Sequence, residues 1–219
     1  MQHVLHTIGA SAYPMDVFVE RLLARDIRAI ADVRSVPYSA HFKDFCREAL
    51  KDALGRRGIE YVWMGPQLGG KPDDPEVYDA QGHVDFGRLR GRPCFDEGVE
   101  RLRRGLGRFP IALMCAEKDP MHCHRAVLIA ETIHAEGLLD NEICHIWPHP
   151  GPDGVPVDIE GHGGLRDRIL RHHAERDMRI AGLPKAQAVV EAVRRHREAM
   201  AASFVKPGMS GNARGRDRD

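Results

Sequence analysis

The sequence has no excess of charge of either sign: 32 lysines and arginines face 32 aspartates and glutamates across 219 residues. A general affinity for nucleic acid or for an anionic membrane is thereby excluded, and only local patches remain. Apolar runs of the ~20 residues that span a bilayer are missing, so no membrane partner is expected. Aromatic residues make up only 6 %, and none interleaves with basic residues as base stacking requires. The opening Met1-Gln-His-Val-Leu-His6 lacks the charged and apolar regions of a secretory leader. Cysteines are few and odd in number: five, irregularly spaced, without the paired C-x2-C of structural zinc sites. A reducing, cytoplasmic setting follows as the expectation, with thiols free, reactive or metal-bound rather than bridged. Internal repeats are absent, and nothing bears on oligomeric state.

What the sequence does have is alternation. Apolar content of 42 % and charged content of 29 % suit a globular protein with one sizeable core. Short apolar runs at Val4–Ile8, Ile27–Val33, Ile59–Met64, Ile111–Met114 and Glu142–Trp147 predict strands. Between them, apolar residues at helical spacing predict helices around Met15–Leu23, Phe42–Ala53 and Phe95–Leu106, and a helix apolar almost all round over Arg125–Ala135. Strand–helix alternation predicts an α/β fold: a mostly parallel, Rossmann-like sheet with helices on both faces. Gly65–Gly70 reads as a loop, and Lys71–Arg92 as a long excursion with little regular structure, a candidate lid. Residues 1–147 form the α/β domain in this reading. The Pro- and Gly-rich 148–164 reads as a linker, 165–204 as a helical C-terminal extension packed on the domain, and 205–219 as a disordered tail.

The densest chemistry lies in one strand–loop–helix unit, Ile111 to Gly137. Cys115 follows a buried strand. Cys123 sits at the predicted helix start between His122 and His124, beside Arg125, where dipole and flanking cations favour thiolate. Glu117 is a candidate general base or orienter of a histidine. Cys115, Cys123 and His124 are also the donors a metal would use; zinc suits them, although the sequence specifies no cofactor. Arg34 and Arg125 are candidate anion anchors, because guanidinium binds phosphate or carboxylate bidentately. Asp32, Ser11, Ser35, Ser39 and the Gly69–Gly70 backbone are candidate ligand contacts beside them. The alternative for Arg34 is an ion pair with Asp32 or Glu117. His6, His41 and His83 are isolated and expected to be surface or satisfied residues. The Arg194-Arg195-His196-Arg197 cluster is a solvated helix face or a weak nucleic-acid patch.

The pieces Thr7-Ile-Gly-x-Ser11, Asp32-Val-Arg-Ser35, Pro37-x-Ser39, Leu68-Gly-Gly70, Cys115-x-Glu117 and Cys123-His-Arg125 together resemble the uncharacterised family known as domain of unknown function 488, over residues 3 to about 147. They fall at the ends of four predicted strands, which places them in one crevice. A looser resemblance is to rhodaneses and cysteine phosphatases, through the strand–Cys–loop–helix order and the Asp32-Val-Arg34 strand. Nine residues separate Cys115 from Arg125, and neither cysteine opens the glycine-containing loop of those enzymes. The leading expectation is a Cys/His-dependent hydrolase or transferase acting on a small phosphorylated or nucleotide-like anion. The alternatives are a non-catalytic module sensing a metal or nucleic acid, and rhodanese-like sulfur transfer.

Overall fold

Each apolar run forms a strand: β1 (Leu5–Gly9), β2 (Ala29–Asp32), β3 (Glu60–Trp63), β4 (Ile111–Cys115) and β5 (Cys144–Pro150). The structure, a computed structural model, describes residues 3–40, 42–140, 142–150 and 156–206. The five strands pair in parallel, and a sixth, β6 (Pro156–Gly161), runs antiparallel to β5. The sheet order is β3-β2-β4-β1-β5-β6. Strands β1 and β4 are buried along their whole length, as central strands covered on both faces must be.

Side chains on successive strand residues point to opposite faces, and two apolar clusters result. Ile8, Ile30, Ala112 and Met114 pack under α1 (Met15–Leu23) and α2 (Arg47–Gly55). Leu5, Ala31, Ile111 and Leu113 face the opposite way. There they meet α5 (Pro93–Leu106), which is reached through the short helices α3 (Gly65–Leu68) and α4 (Phe86–Arg90). The same face carries the helix after β4, which opens as a π-helix (Arg125–Ala130) and continues as α6 (Glu131–Ala135). The helices α7 (His162–Ala174), α8 (Met178–Ala181) and α9 (Lys185–Ala201) follow β6. Leu165, Ile169, Ile180, Ala192, Val193 and Met200 belong to the cluster that holds Leu128 and Ile133.

Several expectations are corrected. Part of the expected 148–164 linker is β6, whose edge position against β5 supplies the backbone partners a free linker lacks. Gly65–Leu68 is a helical turn rather than loop. The 71–92 excursion is packed rather than loose: Val77, Tyr78, Val84, Phe86 and Leu89 are buried, and His83 bridges to Val205. Residues 205 and 206, expected in the tail, are tied down by that bridge and by the Lys206 N–H to Gly82 carbonyl bond. The rest of the expected tail, 207–219, and His41 lie outside the described residues. Phe42 precedes α2 and is exposed, as is Val190 on α9.

Candidate functional site

The connection leaving β2 leads to α2 on one face of the sheet, and that leaving β4 leads to α6 on the other. Such a switch opens a crevice between the carboxyl ends of the two strands. Here it has a volume of about 880 Å³, with Cys115, Cys123 and His124 among its lining residues. Ser35, Trp63 and Gly70 contribute walls, Tyr38, Lys71 and Arg92 reach it from the loops, and Phe204 after α9 closes one side. Gly9 lets the loop after β4 pass close, since a Cβ there would lie 2.1 Å from the Glu117 carbonyl oxygen. Gly70 does the same for the His124 ring, which a Cβ would approach to 2.9 Å.

Cys115, at the end of β4, and Cys123, capping the helix after it, converge with His124, so that their three donor atoms lie within 4.8 Å of one another. His124 Nε2 lies 3.1 Å from both the Val33 and Leu68 carbonyl oxygens. Carbonyls only accept, so Nε2 carries the proton and donates, and Nδ1 is turned toward the sulfurs, 3.7 Å from Cys115 Sγ. The hydrogen bond to Cys123, together with burial, pushes the Cys115 thiol well above its usual range. For Cys123 burial acts upward too, but the bond from Cys115 and the Arg125 charge outweigh it and pull the thiol well below its usual range. Of the two thiols, Cys123 is thus the more readily ionised.

The two arginines do not form an anion clamp, and that expectation is corrected. Arg34 lies in a closed, buried pair with Asp32: Nη2 donates to Oδ2 at 2.6 Å and Nε to Oδ1 at 2.9 Å. Its Nη1 donates to the Phe45 carbonyl and its own carbonyl accepts from Trp63, while Tyr61 donates to Asp32. Although burial opposes the Arg34 charge, the Asp32 hydrogen bond holds the guanidinium protonated more firmly than usual. Arg125, expected at a rim, is the largest fully buried side chain. Its Nη1 and Nη2 donate to the Glu117 and Lys118 carbonyls at 2.6 and 3.1 Å. The loop after β4 is thus pinned from within rather than left open to cradle an anion.

The other expected contacts scatter. Ser35 Oγ accepts from Lys71 N–H and Ser39 Oγ from Phe42 N–H. Ser11 is exposed and outside the crevice lining, while Glu117 lines the crevice with an exposed side chain. Gly69 packs on Ser35 and Gly65. In the Arg194–Arg197 cluster, Arg194 pairs with Glu191 and Glu198, Arg195 with Glu191 and Asp177, and His196 is buried with Nε2 donating to the Met121 carbonyl. His6 is buried rather than at the surface, and burial, with the Arg25 charge adding to it, lowers its pKa to about 4.

A buried row of polar residues went unrecognised in the sequence. Arg125 Nε donates to Thr7 Oγ1 at 3.4 Å. Thr7 Oγ1 is 2.9 Å from His145 Nδ1, His145 Nε2 is 3.0 Å from His162 Nδ1, and His162 Nε2 is 2.9 Å from Glu131 Oε2. Guanidinium can only donate and carboxylate can only accept, so Arg125 donates to Thr7 and His162 Nε2 donates to Glu131, while the directions of the bonds between follow the histidine tautomers. Burial, reinforced by the Arg125 and Arg168 charges, holds the His145 pKa well below its usual range. Burial alone would raise the Glu131 pKa, but the His162 hydrogen bond and Arg166 lower it on balance. The signals in the sequence are a histidine inside the apolar run Ile143-Cys-His-Ile146 and a lone acid, Glu131, in an otherwise apolar helix.

Residues 14–132, more than half of the chain, match the family model described as Domain of unknown function DUF488. No curated protein and no solved structure matches. No helix among the described residues is long and apolar enough to cross a membrane.

Proposed function

The chain belongs to the Domain of unknown function DUF488 family, whose description carries no activity, and we propose that it is an enzyme, a hydrolase or transferase, working on a small ligand held in the crevice. One observation carries this reading: Cys115, Cys123 and His124 converge at the carboxyl ends of the parallel strands, on the wall of a cavity large enough for a small molecule. Structural cysteines have no need of two converging sulfurs, a tautomer-fixed imidazole and an open cavity together. A ligand in this crevice meets the Tyr38 and Trp63 rings and the Phe204 edge, with Lys71 and Arg92 as its nearest cations. Arg92 is shared with Asp74 at 3.0 Å, so Lys71 is the cation left for a ligand phosphate. A flat ring bearing one phosphate fits that inventory better than a polyphosphate, for which the internally paired Arg34 and Arg125 are unavailable.

The test is a panel of nucleoside monophosphates and their unphosphorylated nucleosides, read by thermal unfolding. A monophosphate at about 100 times its Kd should raise the Tm by about 5 °C or more. Lys71→Ala should remove the difference between the monophosphate and its nucleoside, and Tyr38→Ala should weaken both. Failure of every member to shift the Tm would remove this ligand class.

A further inference from the structure

We propose that Cys115, Cys123 and His124 form a three-ligand site for a thiophilic divalent cation, zinc foremost, with its fourth position open to the crevice. The inference deepens the enzymatic reading above and rests on it for the role of the open position, though not for binding itself. Geometry is the first support. Zinc holds thiolate sulfur at about 2.3 Å and imidazole nitrogen at about 2.0 Å, which sets tetrahedral ligand atoms roughly 3.4–3.8 Å apart. Cys115 Sγ and His124 Nδ1 already stand 3.7 Å apart, and all three donor atoms fit within 4.8 Å.

The second support is the far side of the imidazole. A ligating histidine needs its other ring N–H held by an acceptor, which fixes the tautomer and aims the lone pair. His124 Nε2 is held by two carbonyls, those of Val33 and Leu68, from two different segments of the crevice wall. The ring is further wedged between Gly70 and Phe204, whose ring centroid is 5.8 Å away. A histidine serving only as packing has no need for such orientation of Nδ1 toward two sulfurs.

The third support is the donor set. Two cysteines and one histidine form a soft, two-charge site that matches zinc and disfavours magnesium or calcium, which take oxygen. Among the described residues no further histidine, cysteine or carboxylate joins the group. Three protein ligands with one position left is the arrangement of catalytic rather than structural zinc, which is closed by four. All three ligands line the crevice, so the open position faces the space where a ligand would sit.

The experiment uses the full chain, purified under reductant without chelator. Elemental analysis should find one zinc per chain. Cobalt exchanged for it should show thiolate-to-metal charge transfer, lost in part in Cys115→Ser and in Cys123→Ser. Zinc affinity, measured against a competing chromophoric chelator, should fall about 100-fold or more in His124→Gln. Cys144→Ser, outside the site, should leave it unchanged. Gly70→Ala retains all three ligands but displaces the His124 ring, so it should weaken zinc measurably even where a cysteine variant fails to fold. Native protein that retains no metal, and that binds added zinc no more tightly than Cys115→Ser does, would overturn the proposal. So would isolation of the pair as a Cys115–Cys123 disulfide that on reduction still takes up no zinc. The nucleotide panel separates the two readings: zinc without ligand binding sinks the proposed substrate class, whereas ligand binding without zinc sinks only the metal.

Discussion

Arg125 shows how far a single side chain can depart from its usual place. It is fully buried, yet its donors reach carbonyl oxygens of the loop after β4 and the hydroxyl of Thr7. Removing it leaves buried acceptors without partners, the costly half of breaking a hydrogen bond. Arg125→Met should therefore destabilise by about 2–4 kcal/mol, read as a lower urea midpoint with unchanged slope; a midpoint equal to that of the native chain would contradict the pinned loop. His6 supplies a pH prediction. Its pKa is lowered to about 4 when folded and returns to about 6.5 when unfolded. Between those values the unfolded chain binds more protons, so stability falls as pH falls through that window, by about 3 kcal/mol in all. His6→Leu should flatten the loss of stability between pH 6.5 and 4; an unaltered slope would assign the acid sensitivity to other groups.

At the scale of elements, the crevice depends on a strand end, a helix start and a distant closing segment. Phe204 packs on the Phe86 ring at 5.5 Å and on the His124 ring, and forms one wall. Phe204→Ala should cost about 1–2 kcal/mol and should speed alkylation of Cys115 in chelator-treated protein, followed by mass spectrometry; equal labelling rates would show that another segment controls access. This closure was not legible in the sequence, whereas the strand ends were. A continuous apolar run marks β4 and apolar-leaning ones mark β1 and β2, because both their faces are buried. Strand β6 was hidden because an edge strand can carry Pro156, Asp158 and Glu160, the residues that also mark loops. The convergence of Cys115, Cys123 and His124 was legible through their places at a strand end and a helix start. The fate of Arg34 was legible only as an alternative, its ion pair with Asp32, and that of Arg125 was not, because a sequence shows that a charge is present but not whether the protein itself neutralises it. Asp32, two residues from Arg34, was the available sign, and for Arg125 it was the apolar helix that follows.

For the whole molecule, the C-terminal helices share the core of the sheet domain. Leu165, Ile169, Val193 and Met200 lie in the cluster that includes Leu128 and Ile133. A chain ended after residue 147 should expose that apolar surface, bind a hydrophobic dye and lose its cooperative transition; cooperative melting within a few degrees of the full chain would mean that the first 147 residues fold alone. The row from Arg125 to Glu131 leads to the same boundary from another direction. Its members Arg125 and Glu131 lie within the family match of 14–132, while Thr7, His145 and His162 lie outside it. Because the row is buried and ends in a fixed donor and a fixed acceptor, each residue restricts its neighbours, and a residue replacing either histidine must still serve a polar partner on each side. The row is a sentence of five words, two of them inside the segment that the family model recognises and three beyond it, so that it can be read whole only across more of the chain than the match spans.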